Sequence, residues 1–258
     1  MIRPKKHLGQ HFLTDGSIAR RIVDSLQVSK DDTVLEIGAG KGILTGLLLQ
    51  KEIRLLTVEI DHESVVYLLK KWPMLKGMLI ENDFLRLDLD TLIGGPYHVI
   101  GNFPYNISSQ IFFRILEQRL RIQSVVCMVQ KEVADRITSR PGNRQYGILS
   151  VLLGAYFDTE PLFAVRPGSF FPPPKVNSGV IRLTRNSYGT LPCDEKLFFR
   201  VVKTTFNQRR KMLRNSLKSI LLNLDSQTEL LSKRPEELDV SEFIELTGWV
   251  ETRLEENR

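Results

Sequence analysis

Glycine, carboxylate and amide residues follow four apolar segments of the 258-residue chain. In an open parallel sheet, ligands bind outside the carboxyl ends of the strands, near the point where the strand order reverses. If the four apolar segments are strands of such a sheet, we expect the residues at their ends to form one ligand site. These residues are the glycine-rich stretch "EIGAGKG" (36–42), Glu59, Asp83 and Asn102.

The glycine-rich stretch and the two acidic residues suit an adenosine-containing cofactor. Gly38, Gly40 and Gly42 permit a tight strand-to-helix turn and a close approach of the backbone to a ligand. Glu59 can accept hydrogen bonds from both ribose hydroxyls, and Asp83 can accept one from the amine of an adenine. The glycine spacing is G-x-G-x-G rather than the G-x-G-x-x-G of dinucleotide sites. S-adenosyl-L-methionine, whose adenosine carries no essential phosphate, therefore fits better than NAD.

The stretch "GNFPY" (101–105) ends the fourth apolar segment with groups that can hold a substrate amine. The side-chain carbonyl of Asn102 and the peptide carbonyl of Pro104 can accept from an amino group on a flat ring, and Tyr105 can stack on that ring. These bonds would aim the nitrogen lone pair at the cofactor methyl, and no strong base is needed because a sulfonium is a good leaving group. The alternative is a proline turn in which a buried asparagine caps the helix that begins near Ser108. The cofactor residues upstream favour the chemical interpretation.

The stretch "FFPPPKVNSG" (170–179) predicts a stiff loop, because three consecutive prolines restrict the backbone. Such a loop can present Phe170 or Phe171 as a second stacking face opposite Tyr105. The alternative is an aromatic side chain packed beneath a rigid edge loop, which suits Phe171.

The elements that would position these residues alternate along the chain. Apolar strands are predicted within 33–38, 54–60, 77–83, 97–102 and 124–130, with helices at 42–51, 62–72 and 108–118 between them. Continuous apolar strands separated by helices favour a parallel sheet covered on both faces. After residue 140 the pattern predicts a helix at about 146–156 and then an added antiparallel pair of strands at the sheet edge.

The segment 186–195 has the composition of a linker and predicts a boundary between domains 1–185 and 186–258. Beyond it, Phe206, Leu213, Leu217, Ile220 and Leu224 recur at helical spacing, which predicts a small helical domain. On the same predicted helix, Lys211, Arg214 and Lys218 share another face, for which a solvated charged surface is the simplest interpretation.

The composition, with 42% hydrophobic and 26% charged residues, is that of an ordinary globular protein. A formal net charge of +6 permits an anionic partner. Two cysteines disfavour a disulfide framework or a four-ligand zinc site, and no metal is expected. The lack of a long apolar stretch predicts no membrane association and a cytoplasmic location.

Eight motifs occur in the order seen in the KsgA-type ribosomal RNA adenine dimethyltransferases, and the chain resembles that family over nearly its whole length. The motifs are "GQHFL" (9–13), "EIGAGKGILT", "VEID", "ND", "GNFPYNIS", "QKEVADR" (130–136), "FFPPPKVNSGVIRL" and "FNQRRKMLRNSL" (206–217).

The resemblance implies an α/β fold with a Rossmann-like methyltransferase sheet that binds S-adenosyl-L-methionine, followed by a small helical RNA-binding domain. It implies transfer of methyl groups to N6 of two adjacent adenosines in the 3′-terminal hairpin loop of 16S ribosomal RNA, with the nearly assembled small ribosomal subunit as partner and a monomeric enzyme. Cofactor contacts are implied at the positions of this chain that match the family motifs, which are His11, Leu13, Gly38, Gly40, Glu59, Asp83 and Asn102.

The target adenine is implied to contact residues 102–105 and the aromatic at Phe170. With the family in view, the C-terminal basic residues Arg209, Arg210, Lys211 and Arg214 become phosphate contacts. His11 stands where the family usually has asparagine. The cofactor contact there is expected to change character or become pH-dependent, because histidine titrates near neutrality.

Two other functions remain open from the sequence. A resistance-type methylase of large-subunit ribosomal RNA shares the catalytic motifs, although "FNQRRKMLRNSL" favours the small-subunit group. An assembly or transcription factor could keep the fold and bind RNA without catalysis, but the intact Asn102–Tyr105 stretch and Glu59 argue against an inactive enzyme.

Overall fold

A computed structural model of the protein describes residues 2–221 and 228–256. The chain divides into two compact units. The first comprises Met1–Ala134 and Thr159–Arg185, and the second comprises Asp135–Asp158 and Asn186–Arg258. The predicted boundary after residue 185 coincides with one of these divisions, whereas residues 135–158 group with the C-terminal helices.

Within the described residues, nine strands form the sheets. They are β1 (Phe12–Leu13), β2 (Thr33–Ile37), β3 (Arg54–Glu59), β4 (Leu79–Glu81), β5 (Tyr97–Asn102), β6 (Ile122–Gln130), β7 (Phe157–Val165), β8 (Phe170–Phe171) and β9 (Ser178–Arg185). Seven of them make one sheet in the order β4-β3-β2-β5-β6-β9-β7. The five strands from β4 to β6 run parallel, and β9 pairs antiparallel with β6. The predicted parallel sheet with an antiparallel addition at its edge is confirmed.

The strand order reverses between β2 and β5, because the chain builds outward from β2 to β4 and then returns to place β5 on the other side of β2. Successive side chains of these strands, such as Val34 and Leu35, point to opposite faces of the sheet and are both buried. Both faces of the sheet are therefore covered, as is usual for parallel strands. The carboxyl ends of β2 and β5 therefore meet at the crevice where such folds bind ligands.

In the same two described ranges, ten α-helices lie between and after the strands. They are α1 (Gly16–Asp24), α2 (Thr45–Leu48), α3 (His62–Lys71), α4 (Leu89–Leu92), α5 (Ser108–Glu117), α6 (Lys131–Ile137), α7 (Ile148–Gly154), α8 (Glu195–Asn207), α9 (Leu213–Ser216) and α10 (Val240–Glu256). Single 3-10 turns occur at Lys6–Leu8, Pro73–Leu75, Phe84–Arg86, Pro167–Ser169, Leu217–Ser219, Glu229–Ser232 and Pro235–Glu237. The helix predicted at 42–51 is shorter than expected, because residues 40–44 form turns before it.

A two-stranded antiparallel sheet joins β1 to β8, with Phe12 opposite Phe171 and Leu13 opposite Phe170. This pairing fixes the N-terminal segment beside the proline-rich loop at residues 172–174. Two parts of the first unit that are far apart in sequence are therefore held together at one edge of the ligand crevice.

In the second unit, α7 packs against α8 and α10. The buried side chains of α7 explain why residues 135–158 belong to this unit, since five of its seven residues are buried. The prediction of one helix through Phe206, Leu213 and Leu217 was wrong. The helix α8 ends at Asn207, residues 208–211 form turns, and the N–H of Leu213 donates to the carbonyl of Lys233 instead of continuing the helix. Lys211 consequently shares no helix face with Arg214, and Leu224 lies outside the described residues.

Candidate functional site

A cavity of about 260 Å³ lies at the carboxyl ends of β2, β3 and β5 in the first unit. Its volume is close to the lower end, roughly 300 Å³, of small-molecule sites in proteins. Its walls come from five segments, which are residues 7–12, the turn after β2, the end of β3, residues 82–85 and residues 102–107. Most of the residues that the motifs assign to cofactor or target line it, namely His11, Gly38, Gly40, Glu59, Asp83, Asn102, Pro104 and Tyr105.

The backbone after β2 turns through glycines in the left-handed region, with φ of +75° at Gly38 and +54° at Gly40. A Cβ atom on Gly40 would lie 2.9 Å from the ring of Phe12. A side chain is therefore excluded at Gly40 by conformation and by space and at Gly38 by conformation, so bare backbone faces the cavity at both positions. Gly42 has another role, because a Cβ atom there would lie 2.4 Å from Trp72 and the residue does not line the cavity.

Glu59 ends β3 with a carboxylate that is only 5% exposed. The N–H of Gly40 donates to Oε2 at 2.7 Å, and the N–H of Asp61 donates to Oε1 at 2.8 Å. Burial raises the pKa of Glu59, while these backbone hydrogen bonds oppose the rise. Glu59 lines the cavity, and a carboxylate has about four lone-pair sites, so it retains acceptor capacity toward hydroxyl groups there.

Asp83 precedes the 3-10 turn at Phe84–Arg86, and its Oδ1 accepts a hydrogen bond from the N–H of Leu85 at 3.0 Å. The other oxygen lies 3.6 Å from Nε of Arg86, and the side chain is 31% exposed. The carboxylate is therefore fixed by its own turn and retains acceptor capacity toward the cavity.

Asn102 ends β5 and donates from Nδ2 to the carbonyl of His11 at 2.9 Å. This bond orients the amide, and its Oδ1 accepts no hydrogen bond from any residue that the structure describes. Helix α5 begins at Ser108 after Ile107, without a side-chain cap, so Asn102 does not serve as its capping residue. The carbonyl of Pro104 accepts from the N–H of Ile107 at 3.2 Å and keeps one lone pair.

Tyr105 is held at both its ring and its hydroxyl group. Its ring stacks on His11, with centroids 5.4 Å apart, and its hydroxyl lies 2.5 Å from Oγ of Ser178. Burial raises the pKa of the Tyr105 phenol. Nδ1 of His11 lies within hydrogen-bond distance of the carbonyl of Pro172, at 2.8 Å, so the imidazole side chain links Tyr105 to the proline-rich loop.

Two of the expected site residues lie away from the cavity. Phe170 and Leu13 are each 4% exposed and face each other in the β1–β8 pair as part of the hydrophobic core. Successive residues of a strand point to opposite faces, so burial of Phe170 leaves Phe171 outside, where it is 56% exposed. The alternative interpretation, in which Phe171 packs beneath the loop, is wrong, and the predicted stacking face at Phe170 is not brought to the cavity.

Sequence reasoning missed several residues of the site. Ile60 follows Glu59, lines the cavity and is 50% exposed, which suits an apolar contact to a flat ring. Asp61 is 2% exposed and accepts from Nζ of Lys5 at 2.5 Å and from Nε2 of Gln10 at 3.1 Å. These bonds fasten the N-terminal segment over the site. The contacts of Asp61 with Lys5 and Gln10 join residues more than fifty positions apart, so no local sequence pattern could have predicted them.

The C-terminal basic residues separate into two groups in the second unit. Arg209 lies 3.8 Å from a carboxylate oxygen of Glu236 and donates to the carbonyl of Asn143 at 3.2 Å. Arg210, Lys211 and Arg214 are exposed and form no ion pair within residues 2–221 and 228–256. Three of the four residues predicted to contact phosphates therefore carry exposed charges, whereas Arg209 is engaged by Glu236 and by the loop at residues 140–143.

Within the described part of the chain, no three His, Cys, Asp or Glu side chains form a group that could hold a metal ion. None of the helices in those same ranges combines the length and apolarity required to cross a membrane.

Residues 1–241 match the family model described as ribosomal RNA adenine dimethylase. The chain is 52% identical over 257 residues to the ribosomal RNA small subunit methyltransferase A of Phocaeicola vulgatus, covering 98% of this chain and 92% of that protein. It is also 52% identical over 252 residues to the protein of the same name from Flavobacterium johnsoniae, covering 97% of each.

Two solved structures resemble the fold over most of their length. A dimethyladenosine transferase from Plasmodium falciparum superposes with a TM-score of 0.79 at 24% identity, covering 94% of this chain and 98% of that one. The 23S rRNA methyltransferase ErmE superposes with a TM-score of 0.68 at 25% identity, and the match covers 92% of this chain and 99% of that one.

Proposed function

This chain belongs to the ribosomal RNA adenine dimethylase family, and on that premise we propose that it dimethylates N6 of two adjacent adenosines in the 3′-terminal hairpin loop of 16S ribosomal RNA. The chain is a methyltransferase that uses S-adenosyl-L-methionine. The single observation that supports the chemistry best is the arrangement of Asn102, whose amide is fixed by the carbonyl of His11 and whose oxygen has no partner among the described residues.

The cavity fits the cofactor, because its chemistry is that of an adenosine site. The side-chain-free turn at Gly38 and Gly40 leaves room for a ligand against the backbone, and the carboxylates of Glu59 and Asp83 supply acceptors for hydroxyl and amine groups. Ile60 would cover one face of the adenine ring. When bound, S-adenosyl-L-methionine supplies an electrophilic methyl group on a sulfonium.

The substrate adenine would be held through its amine. Oδ1 of Asn102 and the carbonyl of Pro104 are acceptors at the end of β5, so two N–H groups of an adenine can bond to them. Bonding in this way draws the nitrogen lone pair out of conjugation with the ring. Tyr105, held by His11 and Ser178, would then stack on the base and fix its plane. Alignment and electrostatic support carry the reaction, and no side chain is required as a strong base.

The small-subunit substrate is supported by the relatives. The chain is 52% identical to proteins named as small subunit methyltransferases and 25% identical to the large-subunit enzyme ErmE. The exposed basic side chains of Arg210, Lys211 and Arg214 suit contacts to the phosphates of folded RNA. We further propose the small ribosomal subunit with its 16S RNA as the partner, with the chain acting as a cytoplasmic monomer.

The test is nucleoside mass spectrometry after incubating the protein and labelled S-adenosyl-L-methionine with unmethylated small subunits, large-subunit RNA and DNA in parallel. The proposal predicts N6,N6-dimethyladenosine on the small subunit alone. Methylation of large-subunit RNA would reassign the substrate. A protein that binds small subunits and yields no product on any substrate would support an assembly factor.

A further inference from the structure

Phe171 is a large aromatic side chain left exposed beside the cavity, with 56% of its surface accessible. Its position is fixed from two sides. The residue pairs with Phe12 in the β1–β8 sheet, and the next residue, Pro172, is bonded through its carbonyl to His11. Both Phe12 and His11 line the cavity. The exposed ring therefore lies next to two residues of the cavity wall, although Phe171 itself does not line the cavity.

Lys41 places a positive charge at the same point. Its ammonium lies 4.9 Å from the ring centroid of Phe12 and 5.6 Å from that of Phe171. No acidic side chain in the described ranges forms an ion pair with it. A cation over two aromatic rings is positioned by cation–π attraction and keeps its hydrogen-bond donors available for an anion.

An exposed aromatic face next to this ammonium matches the chemistry of one nucleotide, because the base can stack on the ring and the phosphate can pair with the cation. A target adenine that enters the cavity must be extruded from its strand, which leaves its neighbours at the entrance. The location and the charge thus favour single-stranded RNA over an apolar protein partner.

We propose that Phe171 and Lys41 form a subsite for the nucleotide adjacent to the target adenosine, with its base stacked on Phe171 and its phosphate bound by Lys41. The subsite rests on the proposed function, since it extends the RNA substrate beyond the methylated base. It also gives the protein a way to align the strand without contacting the reacting atoms.

The test compares Phe171→Ala, Phe171→Leu and Phe171→Trp in methylation of unmethylated small subunits at saturating S-adenosyl-L-methionine. Removal of the aromatic face should raise KM for the subunit by about 5- to 150-fold, the range expected for one base–aromatic stack. Phe171→Trp should retain the wild-type KM, and all three variants should bind the cofactor as the wild type does. Phe171→Leu keeps the apolar bulk if Phe171→Ala folds poorly.

The phosphate contact has its own measurement. Lys41→Gln should lower the slope of log affinity against log salt by about 0.7, the value for one phosphate of a single strand, whereas Phe171→Leu should leave the slope unchanged. Tyr188→Ala is the matched control, because Tyr188 is an exposed aromatic, at 48%, outside the first unit. It should change neither KM nor the slope.

Failure of the subsite can be told from failure of the proposed function. If the wild type forms dimethyladenosine on small subunits while Phe171→Ala and Phe171→Leu keep its KM, the subsite is refuted and the function stands. If the wild type makes no product, fluorescence of Phe171→Trp tests the subsite alone. If single-stranded RNA quenches the fluorescence of Phe171→Trp more than that of the wild-type tryptophans, the subsite is supported. If the fluorescence of the introduced tryptophan is unchanged at RNA concentrations that saturate binding, the subsite is refuted.

Discussion

Substitution of Glu59 by Gln tests whether the buried carboxylate at the end of β3 holds the cofactor. Both carboxylate oxygens accept backbone N–H groups, from Gly40 at 2.7 Å and from Asp61 at 2.8 Å. A glutamine has one oxygen and one NH₂ group, so in either rotamer the NH₂ must face one of these donors. The change is nearly isosteric, yet it removes one acceptor and the negative charge.

The expected effect is that of removing one hydrogen bond to a charged acceptor, about 1.5–3 kcal/mol. In cofactor binding this corresponds to a dissociation constant raised by about 10- to 150-fold. The effect on folding stability should be smaller than that, because removing a buried charge also removes its desolvation cost, which is the cause of the raised pKa of Glu59. The affinity for the cofactor, rather than the melting temperature, therefore tests whether Glu59 holds the cofactor.

Isothermal titration with S-adenosyl-L-methionine at pH 8 would measure this weakening, with Glu81→Gln as the control. Glu81 is the register neighbour of Glu59 on β4, but its side chain is 45% exposed and pairs with His62. The control should bind as the wild type does. Because the pKa of Glu59 is raised, the difference between wild type and Glu59→Gln should shrink as the pH falls through that pKa. Equal affinities of the two variants and the wild type at pH 8 would refute the role of Glu59.

Two other predictions concern stability and RNA binding. Burial raises the pKa of Glu36 to about 7, so the folded state holds an extra proton between the ordinary glutamate pKa and pH 7. The unfolding free energy of the wild type relative to Glu36→Gln should therefore fall by about 3 kcal/mol from pH 4 to pH 8, as urea denaturation would measure; parallel pH profiles would contradict this. Replacing Arg210, Lys211 and Arg214 by Gln should lower the slope of log affinity against log salt for small-subunit binding by about 0.7–0.9 for each phosphate that these side chains neutralise. An unchanged slope for this triple variant would exclude the three residues from the interface. Arg209→Gln should instead chiefly loosen the loop at residues 140–143, which a protease sensitivity assay would detect.

The sheet and the ends of its strands could be predicted from the sequence because their signals are local. Strand β5 has the predicted bounds, and the end of β3 falls at Glu59, since runs of buried apolar residues mark strands directly. Glu59, Asp83 and Asn102 meet at the cavity as predicted from their positions after successive parallel strands.

Other features depend on tertiary contacts that no local pattern encodes. Gly42 belongs to the same glycine-rich stretch as Gly40, yet it accommodates Trp72 rather than a ligand. The choice between Phe170 and Phe171 is set by the pairing of β8 with β1, which decides which ring faces the core. The break after Asn207 follows from a backbone bond between Leu213 and Lys233, although the apolar spacing continues across it.

At the centre of the proposed mechanism, Asn102 positions the target amine for methyl transfer. The most direct test is the single-turnover rate of methyl transfer to unmethylated small subunits, at saturating S-adenosyl-L-methionine, by the wild type and Asn102→Ala. Removal of the fixed acceptor should lower the rate by about 10²–10³ or more, as removal of one preorganised transition-state contact does, while binding to the subunit is retained. A rate for Asn102→Ala equal to that of the wild type would contradict this role of Asn102.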